Sequence, residues 1–134
     1  MMERDTRAGV CGVGSDLVSV GRIRQAARKF GERFTTRVFT ERERRYCEAR
    51  RDPYPCYAVR FAAKEAVLKA LGTGLAAGST WRDVEVISGK RGEPRVELYG
   101  RVALLARERG IQKFLITLSH DGSYAVAFVV ALGD

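Results

Sequence analysis

Histidine is almost missing from this 134-residue sequence, in which His120 stands alone. The three cysteines, Cys11, Cys47 and Cys56, form no C-x-x-C pair, so the chain lacks the ligand spacing of a zinc site. An odd thiol count without a spaced framework also argues against a disulfide scaffold, and the three are expected as reduced, space-filling side chains. No run approaches the ~18 consecutive apolar residues of a membrane-spanning helix, so no membrane partner is expected. The opening MMERDTRAGV carries acids and no apolar core, unlike a secretory signal, and a cytoplasmic location is the corresponding expectation. Repeats, low-complexity tracts and long linkers are absent too. That leaves a single domain over 1–134, with 1–9 as a flexible tail and 46% hydrophobic residues to build its core.

Acidic residues are scarce where basic ones are dense. Between Val20 and Arg51 only Glu32, Glu41, Glu43 and Glu48 oppose 11 arginines and lysines, which places +7 of the net +8 charge in that segment. Charge gathered in this way marks a footprint for an acidic partner. Three classes share that footprint: an enzyme with an acidic protein substrate, a nucleic-acid-binding module, and a non-catalytic interaction protein.

The pattern of apolar residues sets the order of elements. Val10 to Val18 reads as a buried strand carrying Gly12 and Gly14, and Ser19 caps the helix that follows. In that helix Ile23, Ala26, Ala27 and Phe30 make one apolar face, with Arg24, Gln25, Arg28 and Lys29 opposite. Thr40 with Glu43 forms a capping box, so a second basic helix runs from Thr40 to just before Asp52-Pro53. A third helix spans about Pro55 to Leu71 and stops at Gly72-Thr73-Gly74. Strands follow at Trp81 to Ile87 and Arg95 to Tyr99, then a helix from Val102 to Arg109 ended by Gly110. Phe114 to Leu118 and Tyr124 to Leu132 close the chain as a hairpin. This order predicts an α+β fold, helices packed on a mostly antiparallel sheet. The last strand, YAVAFVVAL, is apolar on both faces and needs cover on both, from a helix layer or from another subunit.

The third helix is apolar nearly all round yet contains Arg60, Lys64, Glu65 and Lys69. At about 100° per residue from Arg60, Tyr57, Phe61, Leu68 and Leu71 fall between about 20° and 100°, and Lys64 falls among them. Glu65 and Lys69 lie further round. One reading is an i, i+4 pair between Glu65 and Lys69, worth ~0.2 to 0.5 kcal/mol, with Arg60 and Lys64 reaching out to water. The other is a buried helix whose charges face a bound anion and a cation. Asp16 carries the same ambiguity. It is either a turn or cap aspartate, or a hard-cation ligand at the end of a strand face cleared by Gly12 and Gly14. His120 is either structural or a donor to phosphate.

Gly14-Ser15-Asp16-Leu17, with Phe61 to Lys69 (FAAKEAVLK) some fifty residues on, resembles the paired signature motifs of 4'-phosphopantetheinyl transferases. The likeness continues through Gly72-Thr73-Gly74, Gly92-Glu93-Pro94 and Ser119-His120, and is greatest to the small bacterial type, the holo-acyl-carrier-protein synthases. It implies an enzyme that moves 4'-phosphopantetheine from coenzyme A to a serine of apo acyl carrier protein and releases adenosine 3',5'-bisphosphate. It further implies Mg²⁺ held by Asp16 and Glu65, with Lys69 and His120 as pyrophosphate contacts. Arg60, Lys64 and Gly72 then lie near coenzyme A, and Pro94 faces the adenine. A homotrimer with sites between subunits is part of the same implication. The acidic carrier matches the basic segment, chiefly through Arg22, Arg24 and Arg28. Ser15 and Val18 depart from the pattern; at Val18 larger relatives carry a third acid.

Overall fold

The computed structural model describes residues 9–133, so all but Gly9 of the expected tail lies outside the described residues. In chain order the elements are β1 (Val10–Ser19), α1 (Val20–Phe30), α2 (Glu32–Val38), α3 (Glu41–Glu48) and α4 (Tyr54–Leu71). A short 3₁₀ helix (Trp81–Asp83), β2 (Val84–Ser88), β3 (Pro94–Leu98), α5 (Gly100–Glu108), β4 (Ile111–His120) and β5 (Tyr124–Gly133) complete the chain. β1, β5 and β4 form an antiparallel sheet with β5 in the middle, and β2 with β3 forms a separate antiparallel hairpin. The architecture is the α+β arrangement that the element order predicts. Among the described residues no helix is long and apolar enough to cross a membrane.

α4 is the axis of the core. Pro55 in its first turn fixes a helical φ without losing a needed donor, and Gly72, in the left-handed conformation at φ 79°, stops the helix. Most of its 18 residues are buried, because it packs across β1 and β5. The approach to β1 is unusually close. A Cβ on Gly12 would overlap the carbonyl oxygen of Ala70, and one on Gly14 would overlap that of Ala66. Two glycines on the strand and two alanines on the helix therefore set the backbone separation, and with it the distance between groups at the end of β1 and those on α4.

Three expectations need correction. A helix, α2, lies between the two basic helices, where none is predicted; it has no side-chain cap and starts from Gly31 at φ 59°. Trp81–Asp83 turns as a 3₁₀ helix before the strand begins, held by Thr80 and Asp83 capping each other. Cys47 and Cys56 are joined in a disulfide rather than standing as separate thiols. The Asp52-Pro53 turn folds α4 back against α3 and brings the two Cα atoms to 5.5 Å, within reach of a bridge. Sequence spacing alone carries no sign of that fold-back.

β5 is covered on one of its two apolar faces within the chain. Its inner residues Ala125, Ala127, Val129 and Ala131 are fully buried under α4, but Val126 and Phe128 on the outer face are exposed, Phe128 by 49%. Val13, Leu17 and Leu115 from the flanking strands extend the open apolar face.

Candidate active site

Asp16, Glu65 and Lys69 come together where β1 meets α4. Lys69 Nζ donates to Asp16 Oδ1 at 3.0 Å and to the Ser15 carbonyl oxygen at 2.9 Å. The i, i+4 pair of Glu65 with Lys69 is therefore not the arrangement adopted; the lysine turns to the strand instead. Glu65, half-buried, has its carboxyl held above the usual carboxylate range, first by burial and next by the negative charge of Asp16, with Lys69 acting in the opposite sense. Two negative charges that act on each other at a partly dry site repel, and a divalent cation relieves that repulsion. The donors present are hard oxygens, which fit Mg²⁺. Among the described residues no group of three metal-ligating side chains exists, and such a partial set suits an ion that keeps waters and substrate phosphates in its shell.

A second assembly lies at the other end of α4. Arg60, His120 and Pro94 line one cleft of about 440 Å³ with Tyr46, Arg50 and Gly92. Arg60 is only 5% exposed, and burial pulls its pKa down. Its guanidinium stacks on the Tyr46 ring 4.4 Å from the centroid and donates to Cys56 Sγ at 3.2 Å, while Nε has no partner among the described residues. Arg50 covers Tyr46 at 4.2 Å and donates to its hydroxyl at 2.8 Å. Buried guanidinium without a carboxylate partner is an anion site by its electrostatics. Tyr46 and Arg50 escape sequence reasoning, although their i, i+4 spacing at the end of a basic helix was a usable signal.

The remaining predicted positions divide differently. Lys64 is removed from the ligand contacts. It has no exposed surface, pairs with Glu43 Oε1 at 2.8 Å and donates to the carbonyl oxygens of Trp81 (3.2 Å) and Val84. The same Glu43 accepts from Thr40 N at 2.9 Å and Val86 N at 2.7 Å, so the capping box and the buried ion pair share one carboxylate. Gly72 is the left-handed end of α4 and does not line the Arg60 cleft. On α1, Arg22 and Arg28 are exposed, whereas Arg24 pairs with Asp52 at 3.1 Å and lies over the Tyr54 ring.

Comparison with known proteins bears on the family and the fold. Residues 12–129 match the model of the 4'-phosphopantetheinyl transferase superfamily. A holo-acyl-carrier-protein synthase of Desulforudis audaxviator is 54% identical over 124 residues, spanning 92% of this chain and 94% of the relative. The crystal structure of holo-acyl-carrier-protein synthase from Neisseria meningitidis superposes with a TM-score of 0.84 at 33% identity, covering 91% of this chain and 98% of that one. The Helicobacter pylori synthase in complex with coenzyme A gives 0.79 at 28%, covering 89% and 98%. Motifs, fold and relatives converge, and the chain belongs to the 4'-phosphopantetheinyl transferase superfamily, among its holo-acyl-carrier-protein synthases.

Proposed function

We propose that the protein transfers 4'-phosphopantetheine from coenzyme A to a serine hydroxyl of apo acyl carrier protein in a Mg²⁺-dependent reaction, releasing adenosine 3',5'-bisphosphate. The observation that carries this reading is that the acids of the paired motifs, Asp16 on β1 and Glu65 on α4, lie on the two elements that the glycine-cleared contact draws together, near enough for the charge of Asp16 to act on Glu65. When bound there, Mg²⁺ would neutralise charge on the pyrophosphate of coenzyme A. Lys69 leaves Asp16 to add its positive charge to the transferring phosphate. Arg60 and His120 hold the nucleotide phosphates in their cleft, with Pro94 against the adenine. The open outer face of the β1–β5–β4 sheet supports a homotrimer. So does the separation of the two assemblies along α4, five residues from Arg60 to Glu65 or about 7.5 Å by helix rise and nine to Lys69, which a neighbouring copy would bridge. Arg22 and Arg28, exposed on α1, receive the acidic carrier, and Arg24 contributes less because Asp52 already neutralises it.

The test is direct. Incubation with coenzyme A, Mg²⁺ and apo carrier should add one phosphopantetheine to the mass of the carrier. Glu65→Gln keeps the shape, removes the charge and should abolish that gain while leaving the midpoint of the ligand-free protein within a few degrees. An active Glu65→Gln protein would defeat the metal assignment.

A further inference from the structure

Phosphopantetheine transfer makes no use of Cys47 and Cys56. Their bond ties α3 to α4 at the wall of the Arg60 cleft. Cys47 is 0% exposed; Cys56, 6% exposed, lines the cleft itself. Arg60 donates to Cys56 Sγ, and Tyr46, next to Cys47 in sequence, is stacked between Arg50 and Arg60. The bridge thus joins the helix end that carries Tyr46 and Arg50 to the helix that carries Arg60.

We propose that Cys56, with Cys47 as its buried partner, is a thiol–disulfide exchange site opening into this cleft, so that the redox state of the pair and nucleotide binding control one another. The inference rests on the coenzyme A reading of the cleft. A dithiol reductant enters as a thiolate and attacks Cys56 Sγ. The sulfur–sulfur bond breaks, and its electron pair passes to Cys47 Sγ, which takes up a proton. The second thiolate of the reductant then displaces Cys56, leaving two protein thiols and one oxidised, cyclic reductant. With a low-molecular-weight disulfide as oxidant the exchange runs in reverse: the protein dithiol loses two electrons and the oxidant leaves as two thiols. Cys47 has no surface through which either reagent could reach it, so the route passes through Cys56. The guanidinium beside Cys56 favours negative charge on that sulfur as it is displaced.

Two consequences follow from the geometry. A nucleotide seated against Arg60 covers the approach to Cys56 and protects the bridge. Reduction, in turn, removes the covalent tie between α3 and α4, which frees the Tyr46–Arg60 stack that pre-organises the cleft. The affinity for an anionic nucleotide should therefore fall on reduction.

The experiment uses the full-length protein in its oxidised form. Dithiothreitol reduction is followed by alkylation and mass measurement, with and without saturating adenosine 3',5'-bisphosphate, and calorimetry gives dissociation constants for both redox forms. Bound nucleotide should slow reduction several-fold, and the oxidised form should bind about fivefold tighter, the effect of fixing one further side chain in place. Cys47→Ala should bind like the reduced form under either condition. Equal reduction rates with and without nucleotide, or equal constants for the two forms, would overturn the proposal and leave the coenzyme A reading standing. Recovery of both thiols after exhaustive oxidation would overturn it as well. If neither form binds the nucleotide, both readings fall together.

Discussion

A lysine with no exposed surface needs a counter-charge, and Lys64 has one in Glu43. Burial lowers the pKa of Lys64, while Glu43 acts to keep it charged. Removing one member of such a pair strands the other, so Lys64→Met should lower stability by about 3 to 5 kcal/mol. Adding Glu43→Gln to that variant removes the stranded charge and should recover part of the loss. Urea midpoints of the two variants measure this, and equal midpoints would mean that Glu43 was never relieved by the lysine. The helical wheel already sets Lys64 among Tyr57, Leu68 and Leu71, so its burial was legible in the sequence. Its partner was not, because Glu43 sits on another helix and announces itself only as a cap. Lys69 repeats the lesson: local spacing points to Glu65, and the close contact of strand and helix offers Asp16 instead.

At the scale of elements, the contact between β1 and α4 is where chemistry and packing meet. Gly14→Ala would press a methyl group onto the Ala66 carbonyl, a backbone atom with nowhere to go. Overpacking of this kind costs about 1 to 3 kcal/mol, and it should push Asp16 away from Glu65 and Lys69. Transfer measured at a temperature where the variant is fully folded should therefore fall further than its melting shift explains. Normal turnover in a folded Gly14→Ala protein would show that the close approach serves packing alone. The glycines and Asp16 share one strand face in the alternation of VCGVGSDLV, so this contact was open to sequence reading. α2 was not. ERFTTRV is seven residues long, holds two adjacent β-branched threonines and lacks a capping side chain, so tertiary contacts rather than local preference make it helical.

At the scale of the whole molecule, the outer face of the central sheet decides how copies meet. Val13, Leu17, Leu115, Val126 and Phe128 form one apolar surface, larger in character than scattered exposed side chains. Phe128→Glu buries a charge in any interface built there and should dissociate the proposed trimer, which sedimentation would detect as a loss of mass; activity should fall with it. A Phe128→Glu protein that keeps the mass of the unmodified assembly would place the interface elsewhere. YAVAFVVAL signals two apolar faces in sequence, but only the fold reveals that α4 takes one of them and leaves the other open.

Each chain also carries its carboxylate cluster and its Arg60 cleft in separate places. Two alleles dead for different reasons can then complement. A Glu65→Gln chain keeps an intact cleft, and an Arg60→Ala chain keeps an intact carboxylate pair. Neither should turn over coenzyme A alone, yet refolding the two as a mixture should create mixed assemblies in which some junctions unite two undamaged halves. Activity returning only in the mixture would be read by the same carrier mass gain. A mixture as silent as its parents would mean that both halves of each site belong to a single chain.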